Sequence, residues 1–174
     1  AGSCEDPSYP ALVHTSGQRR VVQPLASAST RSIFVEHVPD TEAVKARLLA
    51  EAAAGRCAVW VCTTVDESIE RYELLRREIG GDAMLFHSRF VVDDRNRIES
   101  EVLAVFGKDS GEERSGKILV ATQVVEQSLD LDFDFMVTDS APIDLVLQRV
   151  GRLHRHGHRG DRGKATLLLH APRL

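Results

Sequence analysis

Residues 117–122 read KILVAT, residues 123–139 continue as QVVEQSLDLDFDFMVTD, and residues 148–156 read QRVGRLHRH. The first stretch is a short apolar run that ends on a hydroxyl, as expected of a buried strand whose carboxyl end carries a polar residue. In the last stretch Arg149, Arg152 and Arg155 recur at every third position. On a helix that period lays three guanidiniums along one drifting stripe. Guanidinium is always charged and forks onto oxyanions, so such a stripe suits a polyphosphate or a nucleic-acid backbone. The plainer reading is a solvated basic helix face.

Working outward, the same alternation recurs along the chain. A strand is expected at residues 32–38, then a helix capped by Asp40 or Thr41 and stopped by Gly55. Residues 57–62 (CAVWVC) form a continuous apolar run, typical of a strand covered on both faces. A second helix from Asp66 carries Ile69, Tyr72, Leu75 and Ile79 at helical spacing and stops at Gly80-Gly81. A strand at 83–86 and a helix at 94–106, with Ile98, Val102 and Val105 on its apolar face, follow. After a charged loop come strands at 118–121 and 133–138, the arginine-bearing helix, and a closing strand at 165–170. Strand–helix alternation of this kind gives an α/β fold with right-handed crossovers and a mostly parallel sheet between helix layers. Sites in such sheets lie beyond the carboxyl ends of the strands. Thr63-Thr64, His87-Ser88-Arg89, Thr122-Gln123 and Asp139 all directly follow apolar runs, so four segments bring polar groups to one edge.

Residues 1–31 are set apart. Pro7, Pro10 and Pro24 interrupt them, and two strand candidates at 11–15 and 20–23 flank Ser16-Gly17, a hairpin signal. The expected division is therefore an N-terminal segment, 1–31, and one α/β domain, 32–174.

Composition excludes some classes. The 174 residues are 43% hydrophobic and 28% charged with net charge −4, ordinary for a globular domain and giving no global pull toward nucleic acid. The local balance differs: Arg149, Arg152, Arg155, Arg159, Arg162 and Lys164 face only Asp161 between residues 148 and 164. Cys4, Cys57 and Cys62 lack metal-type spacing and read as free thiols of a reducing compartment. No apolar run reaches membrane-spanning length and no signal-peptide pattern opens the sequence, so the expected setting is cytoplasmic. His154, His156 and His158 alternate, which does not stack ligands on one helix face, and no metal site is expected.

Gly111 to Lys117 fits GxxxxGK, the opening of a phosphate-cradling loop. A charged loop precedes it, a strand follows it, and Ile118 stands where magnesium needs a hydroxyl. It is read as a decoy, which leaves arginines suited to a polyphosphate without a loop to bind one.

A resemblance accounts for that mismatch. VATQVVEQSLDLDFD followed by QRVGRLHRH resembles motifs V and VI of the second RecA-like domain of superfamily 2 helicases. The wording EQSLDLDFD, GRLHRH and LFHSRF…DR resembles one family within it, the helicase-nuclease of type I CRISPR systems, over about residues 57–170. The resemblance implies a RecA-like three-layer sandwich. It implies that the phosphate loop, the magnesium-holding acidic box and an HD-type nuclease lie in other domains, so that ATP and Mg2+ belong to the full-length protein and no cofactor to this chain. By position it implies that Arg155 and Arg152 reach ATP as catalytic arginines, that Gln148 lines the same cleft, and that Asp130 meets the ribose. Thr63, Thr64, Ser88, Arg89 and Thr122 fall where the family contacts the nucleic-acid backbone, and Gln123 and Gln127 are weaker candidates for either ligand. Implied partners are the first RecA-like domain and nuclease domain in cis, single-stranded DNA, and the guide-RNA surveillance complex. Arg149 is read as a structural ion pair. The plainer readings are that Thr63, Thr64 and Thr122 cap helices, that Arg89 pairs with Asp93 or Asp94, that Asp130, Asp132 and Asp134 lie on an exposed strand edge, and that Trp60 is core. Rival functions are a different superfamily 2 helicase, or a RecA-like module kept for docking.

Overall fold

A computed structural model describes residues 11–17, 19–24, 31–126, 129–157 and 159–171. It divides into two units, Ala1–Ser32 and Ile33–Leu174. In the first, β1 (Ala11–Ser16) pairs antiparallel with β2 (Arg19–Pro24), with Ser16 opposite Arg19 across a turn at Gly17.

The second unit is a six-stranded parallel sheet in the order β3-β8-β7-β4-β6-β5. Its strands are β3 (Phe34–His37), β4 (Ala58–Val61), β5 (Ala83–Phe86), β6 (Ile118–Ala121), β7 (Phe135–Asp139) and β8 (Thr166–His170). Every residue of β4 and β6 is buried, which explains why their sequences are unbroken apolar runs rather than alternating ones. Alternation along β4 sorts the core into two layers. Ala58 and Trp60 join the layer of α1 (Thr41–Ala53) and α2 (Val65–Ile79), with Val44, Leu48 and Leu75. Val59 and Val61 join the layer of α3 (Val92–Phe106) and α4 (Ile143–Val150), with Val102, Phe106, Met136 and Leu153. The result is the three-layer α/β sandwich expected from the sequence.

Local chemistry sets the boundaries. The Asp40 side chain accepts from Ala43 N at 2.9 Å and starts α1, and Gly55 takes φ +78° just beyond its end. Thr64 starts α2 through a capping box with Glu67. The GxxxxGK segment is a turn into β6. Gly116 takes φ +71°, and a Cβ there would lie 3.2 Å from Ala52 O. Lys117 pairs with Asp82 at 2.6 Å. Among the described residues no helix is long and apolar enough to cross a membrane.

The arginine row departs from expectation. α4 ends at Val150, so Arg149, Arg152 and Arg155 do not form one helical stripe. Leu153, fully buried, is drawn beside Phe133 in an isolated parallel bridge. Phe133 N donates to Arg152 O at 2.9 Å and His154 N to Phe133 O at 2.9 Å. These bonds replace the helical ladder, and His154 adopts φ +49° as the chain turns away. Burial of an apolar side chain overrode the helical period.

Candidate functional site

The carboxyl ends of β4, β5, β6 and β7 deliver Thr63, His87, Thr122 and Asp139 to one edge of the sheet, as the sequence implied. Asp139 organises the part of it nearest β8. Its Oδ1 accepts from Trp60 Nε1 at 3.1 Å and lies 2.8 Å from His170 Nδ1, and its Oδ2 accepts from Thr63 N at 3.4 Å. Trp60 is core, and its indole N–H is satisfied there.

Arg149 is 3% exposed and makes the structural ion pair expected of it, Nε to Glu126 Oε1 at 2.7 Å. It also donates to Thr138 Oγ1 at 2.6 Å and to Asp139 O at 3.4 Å. Arg152 Nη2 reaches Glu126 O at 3.4 Å. Burial and then the neighbouring Arg155 push the Arg152 guanidinium down from its ordinary value, with Asp130 opposing. Arg155 Nε is ion-paired with Asp130 Oδ1 at 2.6 Å, the two side chains being 39% and 45% exposed. Asp130 Oδ1 also lies 3.2 Å from His156 Nε2. Arg152, Arg155 and Asp130 thus come together, while Gln148 is exposed on the last turn of α4.

Asp132 and Asp134 depart from the exposed-edge reading: both are buried. They hold three arginines. Arg159 Nε donates to Asp132 Oδ2 at 2.7 Å, and Arg162 Nη1 donates to both Asp132 oxygens at 2.9 and 2.8 Å. Arg114 Nη2 donates to Asp134 Oδ1 at 3.1 Å. Arg155 N completes Asp132 at 2.8 Å, and Arg159 reaches on to Gly107 O, Lys108 O and Ser110 O. Burial works to raise the Asp132 carboxyl, but the hydrogen bonds and charge of Arg162, with help from Arg155 N and Arg114, hold it below the usual carboxylate range. The Cys57 thiol sits in the same cluster, pushed up to about 12 by burial and by Asp134, so it stays protonated. None of these roles was read from the sequence. The available signal was the run of apolar residues at 129, 131, 133 and 135, which carries the intervening aspartates inward, together with the arginine excess that would neutralise them.

The other sequence candidates are spread along the edge. Thr63, Thr64, Ser88, Arg89 and Gln123 are exposed. Thr64 is spent in the helix cap, its plainer reading. Arg89 pairs with Asp66 on the first turn of α2, not with Asp93 or Asp94; Arg97 takes Asp94 instead. His87, buried, stacks on Phe90 at 4.1 Å, and burial lowers it, which keeps it neutral. Gln127 and His158 lie outside the described residues.

Thr122 is fully buried and its Oγ1 has no hydrogen-bond partner. A buried hydroxyl without a partner costs about 1–3 kcal/mol. Thr122→Val should therefore leave the domain as stable or raise its stability by about 1 kcal/mol, read by thermal melting. If the hydroxyl serves nucleic acid in a rearranged state, affinity for single-stranded DNA falls in the same variant.

The fold and this edge define a RecA-like domain of the helicase type. The family profile "CRISPR-associated nuclease/helicase Cas3, C-terminal" matches residues 54–158, and the chain belongs to that family. The CRISPR-associated endonuclease/helicase Cas3 of Escherichia coli (strain K12) is 46% identical over 126 residues, which are 71% of this chain and 14% of that protein. The crystal structure of T. fusca Cas3 superposes with TM-score 0.85 at 32% identity, covering 98% of this chain and 22% of that one. Its AMPPNP form gives 0.83 at 32%, covering 97% and 22%. A chain of a pre-nicking CRISPR RNA-guided surveillance complex gives 0.78 at 31%, covering 96% and 23%. The chain thus spans under a quarter of the length of these relatives.

Proposed function

We propose that this chain is one half of an ATP-dependent DNA motor: residues 32–174 act as the second RecA-like domain, and residues 1–31 as the segment that leads into it. The observation that carries the reading is the grouping of Arg155, Arg152 and Asp130 at a partly exposed edge, on a chain whose relatives are named nuclease/helicases. In the whole protein a first RecA-like domain binds ATP and Mg2+. Arg155 and Arg152 approach the triphosphate from this side and stabilise charge that develops on the transferring group. Ser88, Arg89, Thr63 and Gln123 hold the phosphates of single-stranded DNA, contacts that position without reading sequence. Closing and opening the cleft moves the strand through, and an HD-type nuclease in the same protein cuts it. Recruitment is by the guide-RNA surveillance complex, in the cytoplasm. A solved T. fusca Cas3–AMPPNP structure and the surveillance-complex match support the nucleotide and recruitment parts.

The isolated chain holds only one side of the ATP site. Incubated with ATP, Mg2+ and single-stranded DNA, it should release no phosphate above a blank. Its DNA affinity should be weak and fall steeply with salt, and Arg89→Ala should reduce the salt slope by about one. Turnover by this chain alone, or an affinity indifferent to salt, would remove the reading.

A further inference from the structure

The Arg155 guanidinium leaves the surface on a long, flexible stem, and an arginine that must meet one phosphate needs more than a place on a loop. Two contacts supply the rest. From below, Arg155 N donates to Asp132 Oδ1 at 2.8 Å, and Asp132 is fully buried between Arg159 and Arg162. The backbone of residue 155 is thereby tied to a buried charge cluster. From the side, Asp130 Oδ1 comes within 2.6 Å of Arg155 Nε, at the base of the guanidinium fork. The same Oδ1 lies 3.2 Å from His156 Nε2, so the carboxylate is itself steadied by the residue next to the arginine it holds.

We infer that Asp130 is a positioning residue for Arg155, aiming the guanidinium at the triphosphate, and is not a ligand of the ribose. The inference rests on the motor reading above and departs from the role that the resemblance implied for Asp130. The pair suits orientation rather than storage. Both side chains are over a third exposed, and ion pairs in that setting are weak. A triphosphate carrying several negative charges can draw the terminal nitrogens forward while Nε keeps its partner. Using one edge of the fork for Asp130 and the other for phosphate is geometry that guanidinium allows and ammonium does not.

The test is a double-mutant cycle in the whole protein, with single-turnover hydrolysis of ATP, 2′-deoxy-ATP and 3′-deoxy-ATP in the presence of single-stranded DNA. Misaiming a catalytic group by about an ångström can lower a rate by about a hundredfold. Asp130→Ala should therefore lower kcat by up to about a hundredfold while KM for ATP stays within about twofold. Its discrimination between ATP and the two deoxy forms should match that of the parent, and Asp130→Glu should recover part of the rate. Combined with Arg155→Ala, Asp130→Ala should add nothing, because the group it aims is gone. Losses that multiply in the double variant, or a changed preference among the three nucleotides, would overturn the inference in favour of a ribose contact. Failure of the motor reading shows itself separately, as an Arg155→Ala protein that hydrolyses ATP normally.

Discussion

Replacing Arg155 by alanine in the whole protein should cut DNA-stimulated ATP hydrolysis by about a thousandfold or more, the range seen when motors lose an arginine that stabilises the transferring phosphate. The size of the expected loss follows from where the charge acts. In a closed cleft a guanidinium works at low dielectric and is already in place when charge develops. The fold should hardly notice. The side chain is 39% exposed and its ion pair with Asp130 is open to solvent, a setting where pairs contribute about 0–1 kcal/mol. The backbone bond to Asp132 survives the substitution because it uses the amide of residue 155. Binding of single-stranded DNA should stay within about twofold, since Ser88 and Arg89 follow β5 and are separate from this loop. Measured together, hydrolysis, DNA affinity and melting temperature separate a catalytic role from a general loss of structure. Near-normal hydrolysis would exclude the arginine from catalysis. A collapse of all three would mean that the residue supports the fold. Arg152→Ala is expected to be less clean, since Arg152 also reaches Glu126 O and borders the buried Arg149–Glu126 pair.

How far the sequence could be read depended on which force governed each segment. β4 and β6 were plain from 57–62 and 117–122, because a strand covered on both faces has no polar position to interrupt its run. The helix starts at Asp40 and Thr64 were plain because side-chain capping is local chemistry. α3 begins two residues earlier than expected, at Val92, with no side-chain cap to mark the place. Arg155 and Asp130, which motif position assigned to one nucleotide, lie within 2.6 Å of each other. What failed was the helical stripe through Arg149, Arg152 and Arg155. A period of three was present, but burial of Leu153 against Phe133, residues distant in sequence, decided the backbone. Tertiary packing overrides local period wherever a large apolar side chain has one place to go. Asp132 and Asp134 were misread for the related reason that alternation does not say which face is covered. Here both are: Leu131 and Phe133 enter the core, and Asp132 and Asp134 enter a charge cluster whose cations come from residues 114, 159 and 162.

That charge cluster carries the largest expected effect on stability. Asp132→Ala should destabilise the domain by about 3–5 kcal/mol, because it removes the common partner of Arg159 and Arg162 and leaves their charge enclosed. For a domain of this size the loss corresponds to a melting temperature lower by roughly 10–15 °C. Replacing an ion-paired residue by an apolar one is sometimes harmless when every member of the cluster is exchanged. Here only one is, and Arg114, Arg159 and Arg162 remain. The pH dependence has a definite sign. Asp132 is held below its ordinary value in the folded state, so its contribution is fully present above the unfolded carboxylate value, near 4, and is lost as pH falls through the lower folded value. The parent domain should therefore lose stability progressively below about pH 4, and Asp132→Asn should flatten that part of the curve while melting lower at pH 7. An Asp132→Asn protein with the parent's melting temperature at neutral pH would mean that Asp134 alone suffices for the arginines. The amide oxygen left by that substitution can still accept from Arg155 N, so the loop at residue 155 would keep both this anchor and the Phe133–Leu153 bridge.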